Sequence, residues 1–250
     1  METKVKIFIC THKNFKVPED LSPELYSIIT NGCDIDIKSP FETIAVPESY
    51  KKVLNGYDDK VYSEMYMIRY LYDHQELIKD LDYIGFCHYR RFFDFGNNIP
   101  ALNDENYNAI QVEPSILDAD VYHQYATCHN LNDIELFTNI IIDVNQSIGA
   151  DFNDYMKNRE LYVCNLFIIS KYKFNQMMAI LVEAIDKFIK QRGDILQYVK
   201  NHFDEYCIGK HNNSIDYQNR VIAYLTERFT GFFVSKYCRN KFICDYKFIN

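Results

Sequence analysis

The stretch YIGFCHYRRFF, residues 83–93, constrains the fold of this 250-residue chain more than any other. Tyr83, Ile84, Phe86 and Cys87 make a short apolar run without the polar alternation of a half-exposed strand. A strand apolar on both faces belongs inside a sheet that is covered on both sides, the setting of parallel α/β sheets. The run then ends in His88, Tyr89, Arg90 and Arg91. Ligands of open α/β sheets bind beyond the carboxyl ends of the strands, so these polar residues stand where a site is expected.

Two further runs have the same character. KVKIFICTHK (4–13) predicts a strand ending in Thr11, His12 and Lys13, and LYVCNLFIIS (161–170) predicts a buried strand interrupted by Asn165. Helical periods lie at 62–79 and 133–148, between these two runs, and at 173–192 and 216–234, after them. The N-cap of the second is Asn132 or Asp133 and that of the last is Asp216. Gly193 falls where a helix-terminating glycine is expected. Residues 14–60, with four prolines, and 100–130 read as loops with short elements. The alternation predicts an α/β fold, a mixed and mostly parallel sheet flanked by helices.

Composition removes several function classes. A net charge of −8 argues against general nucleic-acid binding, because a phosphate backbone would be repelled. Eight cysteines without any CxxC pair read as small buried hydrophobes in a reducing compartment. The beginning of the chain has no signal-peptide pattern, and no run reaches the roughly 18 apolar residues of a membrane span. The expected location is therefore the cytoplasm. No GxGxxG, Walker, HExxH or GxSxG pattern occurs.

The residues that could carry chemistry cluster at the predicted strand ends. Arginine offers a permanent charge and a fork of donors suited to diphosphate oxygens. Neighbouring residues of a strand face opposite ways, so Arg90 and Arg91 share a ligand only if the strand breaks near His88. Otherwise one of them is structural, paired with Glu64 or Asp94. Glu64 stands at the start of a helix, where a carboxylate is also simply stabilising. His129 is a loop histidine able to shuttle protons. Asn165 is an amide in an apolar run, and must bond backbone or ligand. Arg220 and Glu227 are seven apart on one helical face, where an internal ion pair is the plainer reading. Asp34-Ile35-Asp36 has the spacing that chelates Mg²⁺ or Mn²⁺ against a diphosphate, but it lies in the loop-rich region and is read as incidental.

Taken together, these segments resemble a family of small bacterial capsular and exopolysaccharide biosynthesis proteins, catalogued as a domain of unknown function and regarded as glycosyltransferases. The resemblance rests on Asp82-Tyr83-Ile84-Gly85 with His88-Tyr89-Arg90-Arg91-Phe92-Phe93, the early Thr11-His12-Lys13, and Tyr62 with Glu64. It continues in Gln124-Tyr125-Ala126 with His129, in Asn165 with Phe167 and Ile168, and in Gln218, Arg220, Val221, Glu227 and Arg228, where Thr226 replaces the usual serine. The resemblance implies a GT-A-like domain over 1–228 that moves a sugar from a nucleotide donor, UDP-galactofuranose or another UDP-hexose, to a capsular, exopolysaccharide or lipid-linked acceptor. It implies donor binding by Thr11, His12, Lys13, Tyr62, Arg90, Arg91, Asn165, Gln218 and Arg220, with Glu64, His129 and His88 as catalytic candidates. Cations standing where related enzymes hold a metal imply transfer without a divalent ion or other cofactor.

Residues 229–250 interleave aromatics with four bases and one acid, a local charge of +3. Such a tail either packs on the domain as a last strand or helix, which is the plainer reading, or contacts an anionic membrane from the inner face. A non-catalytic nucleotide-sugar binder, or a phosphoryl-type transferase decorating capsule, would suit the same arginines.

Overall fold

The computed structural model describes residues 3–32, 40–95, 97–103, 106–207 and 214–249, with 206 and 207 by backbone alone. Asp34–Asp36 lie outside the described residues.

The sheet is built from β1 (Val5–Thr11), β2 (Tyr26–Thr30), β3 (Thr43–Ala45), β4 (Tyr83–His88) and β5 (Arg91–Phe93). To these are added β6 (Ala109–Val112), β9 (Phe167–Ser170), β10 (Lys241–Cys244) and β11 (Tyr246–Phe248), while β7 (Ser115–Ile116) and β8 (Glu160–Leu161) form a separate pair. The order is β10-β6-β9-β4-β1-β2-β3, with β5 and β11 paired off the end of β4. Strands β1 to β4, and β10 with β6, run parallel, whereas β9 is antiparallel to both β4 and β6. The expected mixed, mostly parallel sheet is what forms.

Every residue of β4 is buried. Alternation then divides the core. Phe8, Cys10, Ile84, Phe86, Phe167 and Ile169 face the helices, while Ile7, Ile9, Tyr83, Cys87 and Ile168 face a layer that includes Leu21, Phe41, Phe92, Phe93 and Leu102. Burying each such side chain contributes about 1.5–3 kcal/mol before conformational entropy is charged against it. Gly85 sits where β4 is tightest: a Cβ there would lie 2.7 Å from Cγ1 of Ile168 and 3.1 Å from Cγ1 of Ile7. The glycine of the DYIG stretch is thus a packing requirement.

The helices are α1 (Asp59–Tyr62), α2 (Glu64–Asp73), α3 (Val121–Cys128), α4 (Leu131–Val144), α5 (Gln146–Met156) and α6 (Lys171–Arg192), then α7 (Ile195–Asn201), α8 (Phe203–Cys207), α9 (Ile215–Gln218) and α10 (Val221–Tyr237). Several depart from the predicted spans at capping residues. The 62–79 helix is broken at Ser63, whose φ of 49° interrupts the helical ladder. The 133–148 helix begins on an Asn130 cap and is cut by Asn145, which caps α5. The 216–234 helix becomes two, capped by Ser214 and Arg220 rather than Asp216. Gly193 ends α6 with φ 74°, as expected.

The strand predicted over 161–170 is real only at its ends, because Cys164 and Asn165 both have positive φ. Among the described residues, 14–60 and 100–130 hold three strands of the central sheet, β2, β3 and β6, and the two-residue β7, all too short for periodicity to reveal. The boundary expected at 228/229 falls inside α10, and the following residues form β10 and β11 of the central sheet. Three of the four bases after 229 are engaged there. Lys241 donates to the last carbonyls near the end of α10, Lys247 pairs with Asp94 and Asp20, and Lys236 pairs with Asp151. Among the described residues no helix is long and apolar enough to cross a membrane.

Candidate functional site

A cleft of about 430 Å³ opens beyond the carboxyl end of β4. A smaller cavity of about 240 Å³ adjoins it under the ends of β1 and β4, and the two share Ser63, Glu64, His88 and Arg220.

The cation pair comes from a tight hairpin. β4 stops at His88, Tyr89 and Arg90 form the turn, and Arg91 pairs back with His88. Nδ1 of His88 accepts the Arg90 amide proton at 3.1 Å, so the histidine itself closes the turn. Because the strand breaks at this point, Arg90 and Arg91 both line the cleft. Arg220, at the start of α10, lines it from the opposite wall. None of these three arginines has a carboxylate within ion-pair distance among the described residues.

Two carboxylates face them. Glu64, the first residue of α2, has Oε1 3.4 Å from Nε2 of His88. Burial and the nearby Arg91 and Arg90 charges push the His88 imidazole down to about 3. The ring is therefore neutral, and with Nδ1 accepting, its proton sits on Nε2, the nitrogen nearest Glu64. Glu227 lies deeper. Its Oε1 accepts the Cys164 amide at 2.5 Å and its Oε2 accepts from Arg228 Nη1 at 2.8 Å. Burial raises its carboxyl above the usual range, with Glu64 adding to the effect and Arg228 and the Cys164 amide opposing it. Arg228 also donates to Oε1 of Gln124 at 2.9 Å and faces the Tyr125 ring. With histidines set aside, four arginines oppose two glutamates, leaving the cleft at +2. That is the complement of a diphosphate diester.

Backbone strain gathers on the same walls. Of the five non-glycine residues with positive φ among the described residues, three line the cleft: Ser63, Cys164 and Asn165. Such conformations cost on the order of 1–3 kcal/mol each and persist where the surroundings over-determine them. Oδ1 of Asn165 accepts from the Thr230 hydroxyl at 2.7 Å, a side-chain partner where a backbone or ligand partner was expected. No group of three or more His, Cys, Asp or Glu side chains with metal-binding geometry occurs among the described residues.

A family model described as a domain of unknown function (DUF4422) matches residues 6–240. The chain belongs to this family. The DUF4422 chain is also similar to the apo structure of WbbM, a bifunctional glycosyltransferase, with a TM-score of 0.68 at 15% identity. The alignment covers 99% of this chain and 46% of that one, so the chain spans about half the length of WbbM. At that identity the likeness establishes a shared fold, the GT-A-like α/β arrangement expected above. No curated protein matches the sequence.

Within this DUF4422 chain, Glu64, His88, His129, Arg90, Arg91, Asn165 and Arg220 converge on the cleft, and His12 lines the smaller cavity. Burial, with Lys13, Arg220 and Arg90 nearby, lowers the His12 imidazole below its usual value, against the pull of Asp59. Thr11, Lys13, Tyr62 and Gln218 do not line the cleft. Thr11 is buried with its hydroxyl bonded to the Lys13 carbonyl, Lys13 sits over the Tyr89 ring at 5.3 Å, and Tyr62 is a core residue. Gln218 holds His129, with its Oε1 3.2 Å from Nδ1, while its amide donates to the Cys128 carbonyl. His129 is 2% exposed and stacked on Tyr224 at 3.9 Å, so it forms part of the wall. Glu227, Arg228 and Gln124, which are not among the residues expected to bind donor or catalyse, also line the cleft. Their signal was already present in the stretches that carried the family resemblance.

Proposed function

We propose that this domain is a hexosyltransferase in which Arg90, Arg91 and Arg220 hold the diphosphate of a nucleotide sugar without a divalent ion. The observation that carries this reading is the three arginines without ion-pair partners among the described residues, on a cleft of net charge +2 beyond the end of a central strand. In a protein of net charge −8 such a concentration of cations costs self-repulsion unless an anion joins it. A UDP-linked hexose supplies that anion, and the cavity under β1 and β4 supplies room beside it. The acceptor on this reading is a capsular, exopolysaccharide or lipid-linked saccharide.

Glu64 is the base of choice. It lies in the wall shared by both cavities, whereas the two oxygens of Glu227 are committed to Arg228 and Cys164. The acceptor hydroxyl gives its proton to Glu64 as its oxygen forms a bond to the anomeric carbon. The bond from that carbon to the diphosphate breaks, and the leaving oxygen takes the electron pair under the arginines. Neutral His88 orients Glu64 and does not compete for the proton. A cytoplasmic enzyme using a lipid-linked acceptor would meet it at the inner membrane face, which co-sedimentation with anionic liposomes tests.

The deciding experiment is a thermal-shift panel of nucleotides and nucleotide sugars, followed by transfer assays with the ligand that stabilises most. Transfer that persists in EDTA is expected. Loss of activity in EDTA that Mn²⁺ restores would sink the metal-free part of the proposal. Turnover that adds a phosphoryl unit, or binding without any turnover, would sink the transferase assignment itself.

A further inference from the structure

The arginine hairpin has a second support, contributed from the far end of the sequence. β11 pairs antiparallel with β5 alone, placing Tyr246 opposite Phe93, Lys247 opposite Phe92 and Phe248 opposite Arg91. The Ile249 amide donates to the Arg90 carbonyl at 2.9 Å, so both arginines are tied to this strand through their backbones. The Phe248 ring lies 5.3 Å from the Arg91 guanidinium and 6.0 Å from that of Arg90. Phe248 is nevertheless 50% exposed, so burial of its own surface does not account for its place.

We propose that Phe248, presented by β11, is a positioning residue for the anion-binding arginines. The physical reason lies in which part of a guanidinium each partner occupies. A carboxylate would consume the planar fork of N–H donors, the same donors that a diphosphate needs. An aromatic ring attracts the cation while leaving those donors available. Here the ring narrows the range of two long side chains without occupying their hydrogen-bonding groups. Tyr89 supports Arg90 in the same way, at 5.2 Å. Holding two like charges near one ring is unfavourable by itself, and it is the backbone pairing of β5 with β11 that keeps them there. An anion bound between them removes the repulsion, so the arrangement is organised before the ligand arrives.

This inference rests on the diphosphate reading, and one experiment separates the two. Calorimetry with inorganic pyrophosphate and with UDP is run on the full chain and on Phe248→Leu, Phe248→Tyr, Tyr246→Leu, Arg90→Ala and Arg91→Ala. Tyr246 is on the same strand with similar exposure and faces Phe93, so its variant reports loss of strand stability alone. Phe248→Leu is expected to weaken both ligands about three- to tenfold, the range of a cation–π contact. Phe248→Tyr should restore binding, and Tyr246→Leu should leave it unchanged. Equal weakening by Phe248→Leu and Tyr246→Leu overturns the positioning role, as does full affinity in Phe248→Leu while the arginine variants lose theirs. Arginine variants that bind like the unaltered chain, or an unaltered chain that binds neither ligand, overturn the diphosphate reading and this inference with it.

Discussion

Nε2 of His88 lies 3.4 Å from Oε1 of Glu64, while Nδ1 of the same ring closes the turn that presents Arg90. One side chain thereby fixes the spacing between the proposed base and the proposed diphosphate grip. Replacing it with asparagine, His88→Asn, should lower kcat more than it raises the donor KM, because the misplacement affects the reacting geometry first. Steady-state kinetics with the donor found in the thermal-shift panel checks this.

Glu64→Gln keeps the size of the side chain and removes its basicity. The expected loss is about 10²- to 10⁴-fold in kcat, the usual worth of a general base, with donor affinity preserved. A variant that retains near-normal kcat would transfer the role to another group.

Arg90→Ala and Arg91→Ala should each raise the donor Kd by roughly ten- to a hundredfold, since a hydrogen bond to a charged group is worth about 1.5–3 kcal/mol. The losses should shrink at high salt, where the whole cleft is screened. Titrations at two ionic strengths give both numbers.

The pH dependence of stability should have two opposed components. His88 has a folded value lowered to about 3 from 6.5, so between these the unfolded chain binds the extra proton. Stability then falls as pH drops through that window, by at most about 1.4 kcal/mol per pH unit. Glu227 has a raised folded value, so the folded chain holds the extra proton above 4.5. Its contribution is complete at acid pH and is lost as pH rises through its folded value. Urea unfolding of His88→Asn and Glu227→Gln across pH 4–8 should flatten the acid-side slope in the first and the opposite slope in the second.

Gly85→Ala should destabilise by about 1–3 kcal/mol through overpacking against Ile168 and Ile7, seen as a lower urea midpoint at an unchanged slope. The ligand affinity of the folded fraction should not change.

The central strands were legible because β1 and β4 are apolar on both faces, a property visible residue by residue. The breaks were not, because Ser63 and Cys164 take positive φ against the preference of their residue types, and Asn165 alone belongs to a type that favours it. Arg90 and Arg91 were recognisable as a candidate site, yet whether both could line one cleft depended on the position of one turn. Glu227 was read as one half of an internal ion pair with Arg220. Its partner is instead Arg228, the next residue, because Glu227 also reaches the Cys164 amide across the cleft. Phe248 was part of a basic aromatic tail until pairing with β5 brought it 157 residues back along the sequence, to Arg91.

The antiparallel β9 also governs the order in which the protein can acquire its site. β9 joins β4 in a register that sets Phe167 beside Phe86, and the cleft takes its walls from the end of β4, from the 163–165 segment that leads into β9, and from α10 together. Closing such long loops precedes any reward from the contacts, which makes chains of this topology slow to fold. No early, locally folded species could hold all of the cleft. Recovery of nucleotide binding during refolding should therefore lag behind recovery of helical signal and mark the final step of assembly.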